Sequence, residues 1–197
     1  MAILGGLPGW CHECYVSVSM SPPWLKWFRN GIERVNVPIA LSLATVDRNG
    51  DPKVRTVICR RVDDDGGLWF TSDSRSAKNM ELAAHPRVAA CCLLMDAGLQ
   101  FQFNGEAKVD RDYERRQAVW KSLKGKSKGT FFGPDPGAER ASDDHFVESS
   151  DEQDPPESFS LIILYPSQVE LLDVRLTPYL RRRWAYQGRW TVLDLNP

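Results

Sequence analysis

Val54-Arg55-Thr56-Val57-Ile58-Cys59-Arg60-Arg61-Val62, the acidic glycine turn Asp63-Asp64-Asp65-Gly66-Gly67, and Leu68-Trp69-Phe70-Thr71-Ser72 decide how this chain reads. The two β-rich runs around a short turn predict adjacent antiparallel strands over 54–62 and 68–72. Upstream, 39–46 predicts another strand. It is joined to 54–62 through Asp47-Arg48-Asn49-Gly50-Asp51, where Asn-Gly suits the positive φ of a tight turn. Downstream, 74–84 has helical character and stops before His85-Pro86. Strands over 88–95 and 99–109 follow, linked at Asp96-Ala97-Gly98. Five strands with short turns predict an antiparallel sheet curled into a barrel.

The flanks complete a mainly β, α+β chain. Trp24, Leu25, Phe28, Ile32 and Val35 have helical spacing, with Ser21 as a cap and Pro38 beyond the end. Asp110 is expected to cap a helix reaching about Leu123, followed by a basic loop over 124–128. The acidic stretch 138–157 reads as a mobile loop. Strands are expected over 159–165, 169–174, 181–186 and 190–195. The domain is therefore placed at 21–197, with 1–20 as a disordered extension.

Composition narrows the function. A formal net charge of −1 gives no global field for nucleic acid or a membrane. No apolar run approaches the roughly 20 residues of a spanning helix. The first twenty residues contain no Lys or Arg, unlike a secretory signal, and the five cysteines form no disulfide framework. A soluble intracellular, cytoplasmic protein is expected. Cys11-His12-Glu13-Cys14 is a lone pair without the second ligand pair of a closed zinc site, so no metal is expected. No Gly-x-Gly-x-x-Gly follows a strand. A P-loop ending at Gly125-Lys126-Ser127 would need glycine where Trp120 stands.

Basic and hydroxyl side chains gather near the start of the second predicted helix. Arg75 and Lys78 are three apart and fit one side of a first turn, with Ser74 and Ser76 beside them. Such a turn offers free backbone N–H groups to a phosphate. The plainer alternative is a solvated helix start. Arg55 and Arg60 pose a parity conflict, because residues five apart on a strand face opposite sides. They share a ligand only across a bulge or an edge; otherwise Arg61 is the rival.

Arg-Thr-Val-Ile-x-Arg (55–60), Trp-Phe-Thr-Ser-Asp-x-Arg-Ser-x-Lys (69–78), His-Pro-Arg-Val (85–88) and Leu-Gln-Phe-x-Phe-x-Gly (99–105) together resemble the pyridoxamine 5′-phosphate oxidase family. Trp120, Phe131-Phe132, Pro134-Asp135-Pro136-Gly137 and the ending Arg182-Arg183-Trp184 through Leu195-Asn196-Pro197 resemble its oxidase-like FMN-binding subfamily. The resemblance implies an FMN-binding split β-barrel, a homodimer with FMN at the interface, and a small-molecule substrate. It implies that Arg55, Thr56, Val57, Ile58 and Arg60 line the flavin and its chain, followed by Phe70 and Thr71. Ser76 and Lys78 would reach the phosphate, with Arg75 standing in for the family arginine that Ala77 replaces. Gln100 would bond the ring edge, and Arg183 matches a late flavin contact.

The implied activity is FMN-dependent oxidation of a phosphorylated B6 vitamer to pyridoxal 5′-phosphate, with oxygen as acceptor. No catalytic residue is assigned. The family's Arg-x-His at the substrate ring is Tyr179-Leu180-Arg181 here, leaving Arg181 as the substrate candidate, and an expected tryptophan is Leu172. These departures keep open an FMN-binding module or a flavin reductase with another substrate.

Overall fold

The computed structural model describes residues 21–197. The extension expected over 1–20 and the Cys11/Cys14 pair lie outside the described residues. The elements are α1 Leu25–Ile32, β1 Ala40–Val46, β2 Pro52–Val62, β3 Leu68–Asp73, α2 Ala77–Ala84, β4 Arg87–Leu94, β5 Leu99–Asp110, α3 Tyr113–Ser122, α4 Gly125–Gly129, β6 Phe159–Asp173, β7 Leu180–Tyr186 and β8 Trp190–Leu195.

All eight strands form one antiparallel sheet in the order β3-β2-β1-β4-β5-β6-β7-β8. A further β3–β6 pairing closes the first six into a barrel. β6 makes this possible by changing partner along its length. Its residues 159–164 pair with β3, and 168–173 pair with β7. The two strands expected over 159–174 are thus one. Between the halves, the register against β5 shifts at Asn104/Gly105. Gly105 is needed there, since a Cβ would lie 2.1 Å from the Tyr165 carbonyl oxygen.

Alternation fills the barrel. Leu41 and Leu43, Ala90 and Cys92, Phe101 and Phe103, and Val169 and Leu171 all point inward. Helix α1 plugs it with Trp24, Leu25 and Phe28, whose rings meet Phe101 and Phe103 edge to face. Driving Trp24 into this core places it, not Ser21, at the helix cap. No side chain caps the helix, which begins with the Leu25 N–H on the Pro22 carbonyl.

A second core lies outside the barrel. Trp69, Leu161 and Ile163 face away from the first core and pack with Trp120, Phe131 and Phe159. Here the cap of α3 is Asp112, which accepts from the Arg115 N–H, while Asp110 ends β5. The loop expected over 124–128 is the short helix α4. The 138–157 stretch has no helix or strand but is tied down. The Glu152 carbonyl accepts from Trp120 Nε1 at 3.0 Å and from buried Lys128 Nζ at 2.9 Å. The stretch is a loop, as its polarity predicts, and two buried donors hold it at Glu152.

Candidate functional site

The site begins with a fault in a strand. β2 pairs Cys59 with Phe70 but Arg61 with Trp69, so Arg60 is an extra, unpaired residue. This bulge turns Arg60 into a cavity of about 370 Å³. Thr71, Ser72 and Asp73 of β3 line it together with Lys78 of α2. Ser127, Thr130 and Phe131 form the opposite wall. Arg61 goes elsewhere: it pairs with Asp63 at 2.5 Å and lies 4.7 Å over the Trp69 ring. Between the rivals left open by parity, the cavity takes Arg60.

Hydroxyls and a lysine make up the floor. Ser76 precedes α2 in extended conformation and uses its Oγ to bond the Asp73 carbonyl at 2.7 Å. Lys78 Nζ donates to Ser72 Oγ at 3.1 Å and Ser76 Oγ at 3.0 Å. Asn79 Nδ2 holds the same two hydroxyls, and its Oδ1 accepts from Ser160 Oγ at 2.8 Å. Burial lowers the proton affinity of Lys78 below the usual lysine range, and the charge of Arg55 lowers it further; Asp73 and Glu81 pull the other way. An anion in the cavity would reverse that shift.

Arg75 does not enter the cavity. Its guanidinium grips both oxygens of Asp73 at 2.6 and 2.9 Å and reaches Asp135 at 3.0 Å. The hydrogen bond to Asp73 raises the arginine's pKa. It thereby neutralises the one carboxylate lining the cavity and pins the 133–136 loop, through the Gly133 carbonyl, beside it.

Arg55 lies near this floor. Its Nη2 is 2.6 Å from Glu81 Oε2, and its Nη1 bonds Thr45 Oγ1. Val57 and Phe70 bury their side chains in the barrel core, so toward a ligand they offer only backbone. Thr56 and Ile58 face outward from the sheet. Alternation and register place Gln100, Arg181 and Arg183 on that same outer face, across β5 and β7. There Glu170 accepts from Arg183 at 2.7 Å and from Arg181 at 3.0 Å. Burial alone would raise the Glu170 pKa; the two arginines hold it below the usual carboxylate range. The structure thus gathers Arg60, Thr71, Ser76 and Lys78, keeps Arg55 alongside, and leaves Gln100, Arg181 and Arg183 strands away.

Sequence reasoning missed Ser72, Asn79, Glu81 and Thr45. The signal was faint: Asn79 and Glu81 are polar residues buried on a short helix. Among the described cysteines, burial raises the thiol pKa of Cys91 and pushes Cys59 up to about 11 and Cys92 to about 12, which disfavours their thiolates.

A closed antiparallel barrel of this topology, with cations and hydroxyls gathered at a strand bulge, defines a class. Residues 21–111 match the family described as pyridoxamine 5′-phosphate oxidase, FMN-binding domain. A pyridoxamine 5′-phosphate oxidase-related, FMN binding protein from Nostoc punctiforme PCC 73102 superposes with a TM-score of 0.81 at 27% identity, covering 91% of this chain and 100% of that one. Pyridoxine/pyridoxamine 5′-phosphate oxidase 2 of Arabidopsis thaliana is 25% identical over 192 residues, covering 89% of this chain and 97% of that protein. The pyridoxine/pyridoxamine 5′-phosphate oxidase of Cupriavidus taiwanensis is 37% identical over 110 residues. That match spans 55% of this chain and about half, 49%, of the relative. Over residues 21–111 the chain resembles this family, and the fold of the described residues is that of its split barrels.

Proposed function

We propose that this chain is an FMN-binding oxidoreductase whose phosphate site is the cavity of Arg60, Ser72, Ser76 and Lys78. The observation that carries this is the donor set. Arg60, Lys78 and the Ser72 hydroxyl line one cavity, with Ser76 Oγ held against Lys78 Nζ, and Asp73, the one carboxylate lining it among the described residues, is occupied by Arg75. Charge-assisted bonds of this kind suit a phosphate monoester. The free N–H groups at the start of α2 add to them. Bound FMN supplies electron transfer through its ring, while the protein holds and orients it.

The ring would leave the cavity toward the outer sheet face, where Thr56, Ile58 and Gln100 stand. That face also exposes Val54, Leu93 and Leu193. An exposed apolar sheet beside a cofactor supports a homodimer that encloses the ring. For the substrate, the relatives support a phosphorylated B6 vitamer, oxidised to pyridoxal 5′-phosphate with oxygen as acceptor.

One observation favours a second reading, a flavoprotein with another substrate. Arg181 stands in the segment that replaces the family's Arg-x-His, and its guanidinium is engaged by Glu170.

The absorbance spectrum of the purified protein tests both, repeated after anaerobic addition of pyridoxamine 5′-phosphate. Flavin bands that bleach support the vitamer oxidase. Bands that persist move the protein to the second reading. Failure to take up FMN at all refutes the phosphate site.

A further inference from the structure

Glu81 lies on α2 one turn beyond Lys78, with its side chain only 8% exposed. A buried carboxylate needs a reason. Its Oε2 accepts from Arg55 Nη2 at 2.6 Å and from Thr45 Oγ1 at 2.5 Å. Thr45, itself 2% exposed, also accepts from Arg55 Nη1. The three side chains close a triangle that spans β1, β2 and α2. We propose that Glu81 is a positioning residue of the phosphate site: with Thr45 it fixes the guanidinium of Arg55 beside Lys78. The inference rests on the FMN reading above.

Arg55 and Lys78 are like charges; burial, then the charge of Arg55, disfavours the protonated form of Lys78. A long arginine side chain that is 22% exposed would relieve this by swinging into water. Glu81 removes that option by binding one end of the guanidinium. Two of the five donors of Arg55 are taken by the triangle, and the others stay available to a ligand. Glu81 also sets the charge. Arg55, Arg60 and Lys78 are three cations and Glu81 is one anion, so the group carries a net +2. A phosphate monoester carries roughly −1.5 to −2 at neutral pH. Holding the arginine before the ligand arrives also spares the ordering cost on binding.

Equilibrium binding of FMN and of riboflavin, which lacks the phosphate, tests this by quenching of flavin fluorescence. Glu81→Met keeps the bulk of the side chain and removes both acceptors. It should weaken FMN about tenfold or more, the loss of one charged contact, and leave riboflavin within a factor of about two. Glu81→Gln keeps one acceptor oxygen, enough for the two contacts that Oε2 makes, and should retain FMN within about threefold. Combining Glu81→Met with Arg55→Met should cost no more than Arg55→Met alone. An unchanged FMN-to-riboflavin ratio in Glu81→Met overturns the proposal, as does an equal loss of both ligands, which marks a merely structural role. If Glu81→Met does not fold, Thr45→Val decides: it should lower FMN affinity several-fold and spare riboflavin, and no change in the ratio overturns the idea. A wild-type protein that binds FMN no better than riboflavin refutes the phosphate site itself, a result distinct from failure of Glu81.

Discussion

Replacing Lys78 by methionine isolates the charge at the centre of the proposed phosphate site. The side chain keeps its length, and Ser72 and Ser76 keep Asn79 as a donor. What disappears is one ammonium within 3.0–3.1 Å of two hydroxyls in a partly buried cavity. A hydrogen bond to a charged group contributes about 1.5–3 kcal/mol, so FMN affinity should fall roughly 10- to 150-fold while riboflavin affinity holds.

The pH dependence follows from the same residue. Burial, then Arg55, lowers the folded-state pKa of Lys78. Bound phosphate would raise it, so binding takes up a proton wherever the free protein has already lost it. Affinity should therefore decline as pH rises through that lowered pKa, and Lys78→Met should lack this limb. Without FMN the sign is opposite. Between the lowered folded pKa and the unfolded one, the unfolded chain binds more protons, so stability rises with pH across that window. Below it the full penalty applies. The flavin-free variant should thus melt above the flavin-free wild type at neutral pH, and saturating FMN should reverse the order. Fluorescence titrations from neutral to alkaline pH, with melting curves with and without FMN, provide the assay. Unchanged FMN affinity would refute the placement of the phosphate at α2.

Three further outcomes are expected. Arg60→Met should weaken FMN by a similar order, roughly tenfold or more, whereas Arg61→Met should not, because only Arg60 sits in the bulge; equal effects in parallel titrations would count against the bulge. Trp120→Phe combined with Lys128→Met strips the Glu152 carbonyl of both donors, and limited proteolysis within 138–157 should accelerate well beyond either single change. The folded Glu170 pKa is depressed, so its contribution is present above the unfolded value and is lost as pH falls through the folded one. Acid titrations of stability should consequently be shallower over that range in Glu170→Gln than in wild type.

Much of this molecule is legible in the chain because it is local. Alternation in 39–46, 88–95 and 99–109 and the turn at Asn49-Gly50 give the β1, β4 and β5 strands and the first hairpin; Gly50 indeed takes a φ of +86°. The Trp-Phe-Thr-Ser-Asp run ahead of Arg-Ser-x-Lys sets β3 against the start of α2, since strand period and helix onset are properties of neighbouring residues. The family pattern and its barrel follow from the order of those segments.

Tertiary structure alone decides the rest. Strand parity alone sides Arg61, not Arg60, with Arg55, and only pairing with β3 puts the bulge at Arg60. The spacing of Arg75 and Lys78 joins them on paper, yet Asp73 and Asp135 draw Arg75 out of the cavity. Glu81 and Thr45, thirty-six residues apart, meet at Arg55 only once α2 packs against the β1–β2 hairpin. In the first case the register of two backbones decides; in the other two, a charged side chain settles where opposite charge and hydrogen-bond partners offset its desolvation, and Asp135 and Glu81 are partners brought from segments that the local pattern does not name.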